Sequence, residues 1–200
     1  MNSNSTYNFK ELIYDIIESV IGDFPALYRT YLEEISRVRF FEKDFNILEQ
    51  GKHCRHLWFI NKGAVKAFEY IDGNERVSHF FLSNSFFTNY YCWVTKEKSD
   101  LTFQTVECSE IIEIDYPKLE LLCSKHHIFD TIGRKMAEKL FVQEYIDKRL
   151  LLNFSAKERY ENLEKERAEI FQHFALKDIA SFIGVTDVSL SRIRKERLSK

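Results

Sequence analysis

The stretch from Leu176 to Lys195 reads LKDIASFIGVTDVSLSRIRK and carries the most specific pattern in the chain. Ile179 and Ile183 lie four residues apart, so they share one buried side of a short helix. Ala180 is small enough for a second helix to cross closely. Gly184 then supplies the positive φ that a sharp turn between helices requires. The pattern therefore predicts a short helix that ends in a tight turn.

A second helix follows this turn. Val185 packs into the turn, and Thr186 is a good N-cap for the helix after it. Leu190 and Ile193 lie three residues apart and would anchor the second helix on the first. Together the two helices form the pattern of a helix-turn-helix. The alternative is an ordinary pair of antiparallel helices with a solvated basic end.

The exposed side of the second helix predicts contact with DNA. Arg192 can present two hydrogen-bond donors to a guanine edge in the major groove, and Val188 can contact a thymine methyl group. Residues 171–200 contain six basic and three acidic side chains, in a chain whose net charge is −2. This basic end is suited to phosphate binding. The residues predicted to read bases are Val188, Ser189, Ser191 and Arg192. Those predicted to hold phosphates are Lys177, Arg194, Lys195 and Arg197, and Thr186 completes the DNA-binding set.

Composition places the chain among ordinary globular proteins. Its 200 residues are 44% hydrophobic and 30% charged, which allows one large domain or two small ones. No secretory signal is visible, and no apolar run approaches the roughly 20 residues of a membrane span. We therefore expect a soluble, cytoplasmic protein. The four cysteines form no CxxC pair, so zinc-ribbon and ferredoxin spacings are absent and structural thiols are expected.

The chain before residue 115 divides into a helical part and a strand-rich part. From Phe9 to about Arg39 apolar residues recur at helical spacing, with a break between Gly22 and Pro25. From Phe40 to about Ile114 the runs are short and rich in aromatic and β-branched residues, which predicts a sandwich or barrel. Asp72-Gly73 between two such runs predicts a hairpin. The predicted strands are 45–48, Leu57–Ile60, Ala64–Ile71, Arg76–Phe81 and Leu101–Val106.

Helical spacing returns at Tyr116 and continues in one long helix. Phe129, Ile132, Met136 and Leu140 form a stripe, and a second face carries Phe141 and Tyr145. An apolar surface this wide indicates more than one packing neighbour. The helix either belongs to the core of its own domain or packs on both the barrel and a second copy of itself. For the second case, Ile132, Met136 and Leu140 are the predicted dimer contacts.

The order of these parts resembles the CRP/FNR family of bacterial transcription regulators. The resemblance spans roughly Phe24 to Lys200. It is carried by the stretches Ile47–Gly51, Leu57–Lys66, Ile111–Asp115 and Thr186–Ile193. It implies an α+β fold with a cyclic-nucleotide-binding-like β-roll (a double-stranded β-helix), a long dimerisation helix and a C-terminal winged-helix-like helix-turn-helix with a reduced wing. The implied domains are 1–126, 127–152 and 153–200. It also implies a homodimer on a near-palindromic DNA site, with RNA polymerase as a further partner.

The chain departs from the family at the site where other members bind cyclic nucleotides. The family's Gly-Glu pair falls at Thr88 and Asn89, and its phosphate-binding Arg and polar neighbour fall at Ser99 and Asp100. A phosphate needs a cation and donors, and Asp100 would repel it. Lys96 or Lys98 are nearby substitutes for the arginine, but cyclic AMP binding is not expected. The residues proposed to line an effector pocket are Phe86, Phe87, Thr88, Asn89, Tyr90, Ser99 and Asp100. The aromatic ones either fill the pocket or bind an apolar ligand.

No cofactor, metal or enzymatic activity is predicted. The family's oxygen sensors use closely spaced N-terminal cysteines, and this chain has none before Cys54. His53, His56 and His79 are possible haem ligands by residue type only. The His53-x-x-His56 pair on a small barrel faintly resembles the metal-binding cupins, but further ligands at the expected spacing are missing.

The sequence therefore predicts a homodimeric, sequence-specific DNA-binding transcription regulator that does not respond to cyclic AMP. The family's base-reading Glu falls at Val188, so its target should differ from the best-known family sites. The alternative is an effector-sensing or protein-interaction module without specific DNA binding. Asp187 at the start of the recognition helix, and the little room left for a wing, favour that alternative.

Overall fold

The computed structural model describes residues 7–198. Two helices, α1 (Tyr7–Ile21) and α2 (Ala26–Glu34), precede a β-roll. The roll contains β1 (Ser36–Phe41), β2 (Asn46–Leu48), β3 (His56–Lys62), β4 (Ala64–Ile71), β5 (Asn74–Leu82), β6 (Ser85–Phe87), α3 (Tyr90–Thr95), β7 (Thr102–Thr105) and β8 (Ser109–Asp115). The helices that follow are α4 (Tyr116–Lys125), α5 (His127–Asn153), α6 (Ala156–Glu166), α7 (Ile170–His173), α8 (Leu176–Phe182) and α9 (Asp187–Leu198). Within the described residues, no helix is both long and apolar enough to cross a membrane.

Two four-stranded antiparallel sheets form the β-roll. Their strand orders are β1-β8-β3-β6 and β2-β7-β4-β5. The inner faces meet in an aromatic core, where Phe87 lies with its ring centroid 5.3 Å from Trp58 and 5.5 Å from Phe103. All three side chains are buried. The predicted barrel is confirmed, and aromatic side chains fill its interior.

The predicted hairpin is also confirmed. Strands β4 and β5 pair along eight register positions from Ala64↔Leu82 to Ile71↔Asn74. Asp72 and Gly73 both have positive φ, at 51° and 77°, which is what a two-residue hairpin turn requires.

The boundary of the N-terminal helical part was wrong by a few residues. Helical spacing predicts helix to about Arg39, but α2 ends at Glu34 and β1 begins at Ser36. Strand β1 pairs with β8 in the register Ser36↔Ile114 to Phe41↔Ser109. Hydrogen bonds to a strand far away in the sequence decide the conformation here, and a local apolar period does not reveal them.

A second core lies between the roll, the N-terminal helices and the start of α5. It buries Phe24, Phe59 and Phe129 together with Ile132, and Met136 packs against it. Ile132 is thus buried inside the chain and Met136 is half-buried against this core, which does not favour them as dimer contacts. Leu140, the third member of that stripe, is exposed. The assignment of these three residues as dimer contacts stays a prediction.

The C-terminal helices form a third core against the outer face of the roll. Ser155 begins α6 with the predicted capping box, its hydroxyl accepting from the Glu158 N–H. Phe68 and Phe80 of the roll are buried together with Ile170 and Phe174 of the C-terminal helices. No strand follows β8 in the described residues, so the expected reduced wing is not represented up to residue 198.

Candidate functional site

The helix-turn-helix is built as the sequence predicts. Ile179, Ala180 and Ile183 are buried, and Gly184 has φ +72°. An alanine at 180 lets the following segment approach, and the Val185 N–H donates to the Ala180 carbonyl oxygen over 2.9 Å. The turn between α8 and α9 is therefore short and hydrogen-bonded.

Thr186 caps α9, as predicted. Its Oγ1 lies 3.2 Å from the Ser189 amide nitrogen and 3.0 Å from the Ser189 hydroxyl oxygen. Leu190, one residue further on, is buried against α8. The hydroxyl groups of Thr186 and Ser189 are thus engaged in starting the helix, and the base-reading role of Ser189 stays a prediction.

One solvent-facing side of α9 carries four of the predicted DNA contacts. Val188, Ser191, Arg192 and Lys195 are exposed, and their spacing of three, one and three residues places them on one face of the helix. Val188 is 70% exposed, which is unusual for a β-branched apolar side chain. This face carries an exposed apolar side chain, a hydroxyl group and two basic side chains.

The remaining predicted cations lie elsewhere. Lys177 is exposed in the first turn of α8, whereas Arg194 is half-buried. Arg197 lies on the side of α9 that faces α6 and forms an ion pair with Glu164. Arg197 therefore helps to hold α9 on α6, and a phosphate would have to compete with this carboxylate.

Arg159 in α6 is a structural residue that the sequence analysis missed. Its Nε donates to the carbonyl oxygen of Ile183 over 2.8 Å, and its Nη1 donates to that of Phe154 over 2.6 Å. One side chain thus ties the end of α8 to the segment that joins α5 and α6. Its position in a densely charged run is typical of a solvated helix face, so no local signal distinguishes it.

The four residues aligned with the cyclic-nucleotide cassette do come together, but they bond within the chain. Asn89 is 3% exposed and accepts from the Cys92 N–H at the start of α3 over 3.1 Å. Its Nδ2 donates to Ser99 Oγ over 2.8 Å and to Asp100 Oδ1 over 2.7 Å. The Thr88 hydroxyl donates to the His56 carbonyl oxygen over 3.1 Å. The groups that would face a phosphate already have partners here.

The aromatic residues of the predicted pocket do not share one cavity. Phe87 points into the barrel core, whereas its neighbour Phe86 packs on Phe59 in the second core, with ring centroids 4.8 Å apart. Alternate residues of a strand face opposite sides, which separates the two. Tyr90 is exposed. The proposed effector pocket of seven residues is therefore not formed as a single site.

A cavity of about 670 Å³ is lined in part by Cys92 and Trp93 of α3, and none of those seven residues lines it. It is lined by His53, Cys54, Arg55, His56, Cys92, Trp93, Lys96, Asp115, Tyr116, Pro117 and Glu120. Lys96 Nζ lies 3.0 Å from Glu120 Oε1, which engages one candidate substitute for the phosphate-binding arginine. Burial lowers the pKa of His56, so this imidazole favours its neutral form.

The three histidines considered as haem ligands are not brought together. His53 and His56 line that cavity, whereas His79 in β5 lies 2.6 Å from Glu144 of α5. This contact lowers the pKa of the Glu144 carboxyl group. In the part of the chain that the structure describes, no group of three or more His, Cys, Asp or Glu side chains is arranged to hold a metal ion.

Comparison with known proteins agrees with this architecture. Residues 38–126 match the family model of the cyclic nucleotide-binding domain. Among solved structures, a transcriptional regulator of the CRP/FNR family from Eubacterium rectale has a TM-score of 0.72 at 12% identity, covering 90% of this chain and 87% of that one. The c-di-GMP-responsive global regulator CLP of Xanthomonas campestris has a TM-score of 0.68 at 17% identity, covering 88% and 92%.

A mutant of CooA from Carboxydothermus hydrogenoformans also has a TM-score of 0.68, at 14% identity, and covers 90% of this chain and 83% of that one. A search of curated protein sequences finds no significant match. The fold is thus that of CRP/FNR-type regulators: a β-roll of the cyclic nucleotide-binding type, a long helix and a C-terminal helix-turn-helix.

Proposed function

We propose that this protein is a homodimeric, sequence-specific DNA-binding transcription regulator. The observation that carries the proposal is the solvent-facing side of α9, where Val188, Ser191, Arg192 and Lys195 lie together on the second helix of a helix-turn-helix. A recognition helix enters the major groove with such a face. The CRP/FNR regulators of the same fold support this function. RNA polymerase is a proposed further partner.

The proposed dimer uses the second half of α5. Phe141 and Leu152 are 72% and 71% exposed, and Tyr145 between them is also exposed. At 3.6 residues per turn the three lie on one side of the helix, nearly opposite to the buried Ile132. An exposed apolar stripe of this size indicates an interaction site. A second copy of the same helix is the occupant that a regulator with a near-palindromic site requires.

The proposed regulator does not respond to cyclic AMP. Asn89 occupies the start of α3 and donates to Ser99 and Asp100, and the Asp100 carboxylate would repel a phosphate. The amide N–H of Cys92 already bonds to the Asn89 side chain. The partnered Cys92 amide and the Ser99 hydroxyl at the position of the family's arginine both support this part of the proposal.

We expect cyclic AMP to leave the thermal unfolding of the protein unchanged. A ligand at 100 times its Kd stabilises the folded state by about 2.7 kcal/mol, which is readily measured as a rise in Tm. The measurement is a calorimetric Tm with and without saturating cyclic AMP, and titration calorimetry provides a second readout. A rise in Tm together with binding heat would contradict the proposal.

A module without specific DNA binding is the second candidate. Asp187 is exposed in the first turn of α9, where its carboxylate would approach DNA phosphates, and Arg197 is paired with Glu164. Such a module would bind duplexes, if at all, with no dependence on sequence. We propose no enzymatic activity for either candidate, since the similar structures are regulators.

The two candidates are separated by selecting binding sites from a random duplex pool with ligand-free protein at a stated salt concentration. For the proposed function we expect two inverted half-sites about 10 bp apart, centre to centre. Their recovery without an added effector would also agree with a barrel interior that is filled by aromatic side chains. Recovery of random sequence, with and without cell extract as a source of effector, would favour the second candidate.

Substitution Arg192→Ala tests base reading directly. We expect a loss of about 1–3 kcal/mol in binding to the selected site and relaxed preference at one base pair per half-site. The matched control is Lys177→Ala, which removes an exposed cation from α8 and should weaken all sequences alike. Competition binding on a panel of single-base-pair variants measures both effects. If Arg192→Ala weakened binding to all sequences equally, Arg192 would not be a base-reading residue.

A further inference from the structure

Two buried side chains form an ion pair where the helix-turn-helix lies against the β-roll. Lys66 of β4 and Asp178 of α8 have side chains that are 6% and 8% exposed, with Lys66 Nζ 3.2 Å from Asp178 Oδ1. The same ammonium group lies 2.9 Å from Glu75 Oε2 at the start of β5. We call Lys66 and Asp178 the anchor pair. Removing water from charges is costly, so a pair of this kind is tolerated only when its geometry is well held.

The Lys66 ammonium group keeps its charge at physiological pH. Burial by itself lowers the pKa of the Lys66 ammonium group, but hydrogen bonds and charges from Glu75 and Asp178 more than offset this and raise the pKa above its ordinary value. A charged pair in a region of low dielectric is sensitive to distance and direction. The contact between Lys66 and Asp178 therefore favours one relative placement of β4 and α8.

The surrounding contacts support the same placement. The Ser181 hydroxyl group donates to the Glu75 carbonyl oxygen over 3.2 Å and accepts from the Val77 N–H over 3.0 Å. Phe80 lies between two aromatic rings of the C-terminal unit, with centroid distances of 4.2 Å to Phe174 and 5.0 Å to Phe182. Apolar packing tolerates several slightly different positions of the C-terminal helices on the roll, whereas directional polar contacts favour one of these positions.

The strand that carries Lys66 is a rigid support. In its sheet β4 is an inner strand, paired with β7 on one side and β5 on the other. Its neighbours Val65 and Ala67 face the buried aromatic core, so alternate residues of one strand hold the core and the anchor.

The recognition face is open in this arrangement. Ile179 of α8 and Leu190 of α9 are buried in the same core, so α9 moves with α8 as one unit. Val188, Ser191 and Arg192 remain exposed while Asp178 is held by the roll. Attachment to the roll thus directs the recognition helix without covering it. A dimeric reader needs this because its two helices must meet successive major grooves about 34 Å apart.

We propose that Lys66 and Asp178 are positioning residues for DNA binding, which hold the recognition helix of each protomer in the orientation that matches one half-site spacing. The inference rests on the proposed function and adds the residues that determine its geometry. Neither residue contacts DNA in this account. Both act through the placement of α9, and their effect is confined to sites that engage both protomers.

The test variants are Lys66→Met, Asp178→Asn and the double variant that combines these two substitutions. The matched control is Lys96→Met, which breaks the exposed Lys96–Glu120 ion pair by the same type of substitution. Binding is measured on the selected site, on a single half-site and on sites whose spacing is changed by one base pair. We expect about 10-fold weaker binding of the selected site and a smaller preference for its spacing, because linked sites lose effective concentration when geometry is loose. Half-site binding should stay within about 2-fold of wild type, since the helix-turn-helix itself is intact. Lys96→Met should behave as wild type.

Three results would overturn the proposal: unchanged binding of the selected site, tighter binding of it, or an equal loss on the half-site. Tighter binding of the selected site would mean that attachment of α8 to the roll inhibits DNA binding. An equal loss of affinity on the half-site and the selected site would mean that the helix-turn-helix itself is damaged. Hydrogen exchange of the Val77 amide, which donates to Ser181, gives a readout without DNA and should be faster in the variants. If the wild-type protein selects no DNA sequence, the proposed function fails. Faster exchange in the variants would then show only that the anchor pair holds α8 on the roll, without a role in DNA binding.

Discussion

Substitution Phe141→Glu is expected to convert the protein from a dimer to a monomer. Phe141 is 72% exposed and shares one side of α5 with Tyr145 and Leu152. In a two-fold arrangement of this helix, each introduced carboxylate would lie in an apolar seam near its symmetry mate, where burial and like charge both oppose association. Sedimentation velocity measures the change in mass directly. Binding to the palindromic site should fall by about 100-fold or more, because the second half-site is no longer bound intramolecularly.

The matched control is Gln143→Glu, which introduces the same charge two residues further on. Gln143 is exposed and lies on a different side of α5 from Phe141. This control should remain a dimer with wild-type binding. A Phe141→Glu protein that stays dimeric would place the interface elsewhere. The stripe of Ile132 and Met136 would be a poorer candidate, since Ile132 is buried in the second core and Met136 packs against that core.

Substitution Gly63→Ala is expected to produce the largest loss of stability by a single methyl group. Gly63 joins β3 to β4 with φ +113°, and a Cβ there would lie 2.8 Å from Ser109 Cα. The atoms that the new methyl group would meet include the backbone of β8, which cannot move aside as a flexible side chain can. We expect a loss of about 3 kcal/mol in the free energy of unfolding, because overpacking and a strained φ each cost about 1–3 kcal/mol. Urea unfolding measures this.

Gly73→Ala provides the comparison for Gly63→Ala. Gly73 has φ +77° in the β4–β5 turn, and a Cβ there would meet no atom within 4 Å. It should lose only about 1 kcal/mol, from the backbone strain of a left-handed residue. Equal losses at the two positions would show that the contact with Ser109 is relieved by a small shift of the strands.

The helix-turn-helix could be predicted from the sequence because its determinants are local. The positive φ of Gly184, the Thr186 cap and the apolar positions from Ile179 to Ile193 all act within about five turns of helix. The hairpin at Asp72-Gly73 was predictable for the same reason. Such signals depend on neighbours along the chain and not on the rest of the fold.

The proposed effector pocket and the dimer contacts were less predictable because they depend on distant partners. Phe86 and Phe87 were grouped by their proximity in sequence, yet the pleat of β6 sends them into different cores. The long helix α5 carries two apolar sides, and its sequence alone does not predict which of the two the N-terminal helices cover. Packing of Phe129 and Ile132 on α1 and α2 answers that question and leaves Phe141 exposed.

The sequence by itself determined the order of parts: N-terminal helices, a β-roll, a long helix and a helix-turn-helix with its candidate DNA-facing residues. Periodicity, turns and caps encode these parts locally, and the comparisons agree with the resulting fold. The tertiary structure alone decided that β1 is a strand, which side of α5 is free and how the recognition helix is held on the roll. Lys66 and Asp178 show the physical reason, because they are 112 positions apart and only the folded chain brings their charges within 3.2 Å.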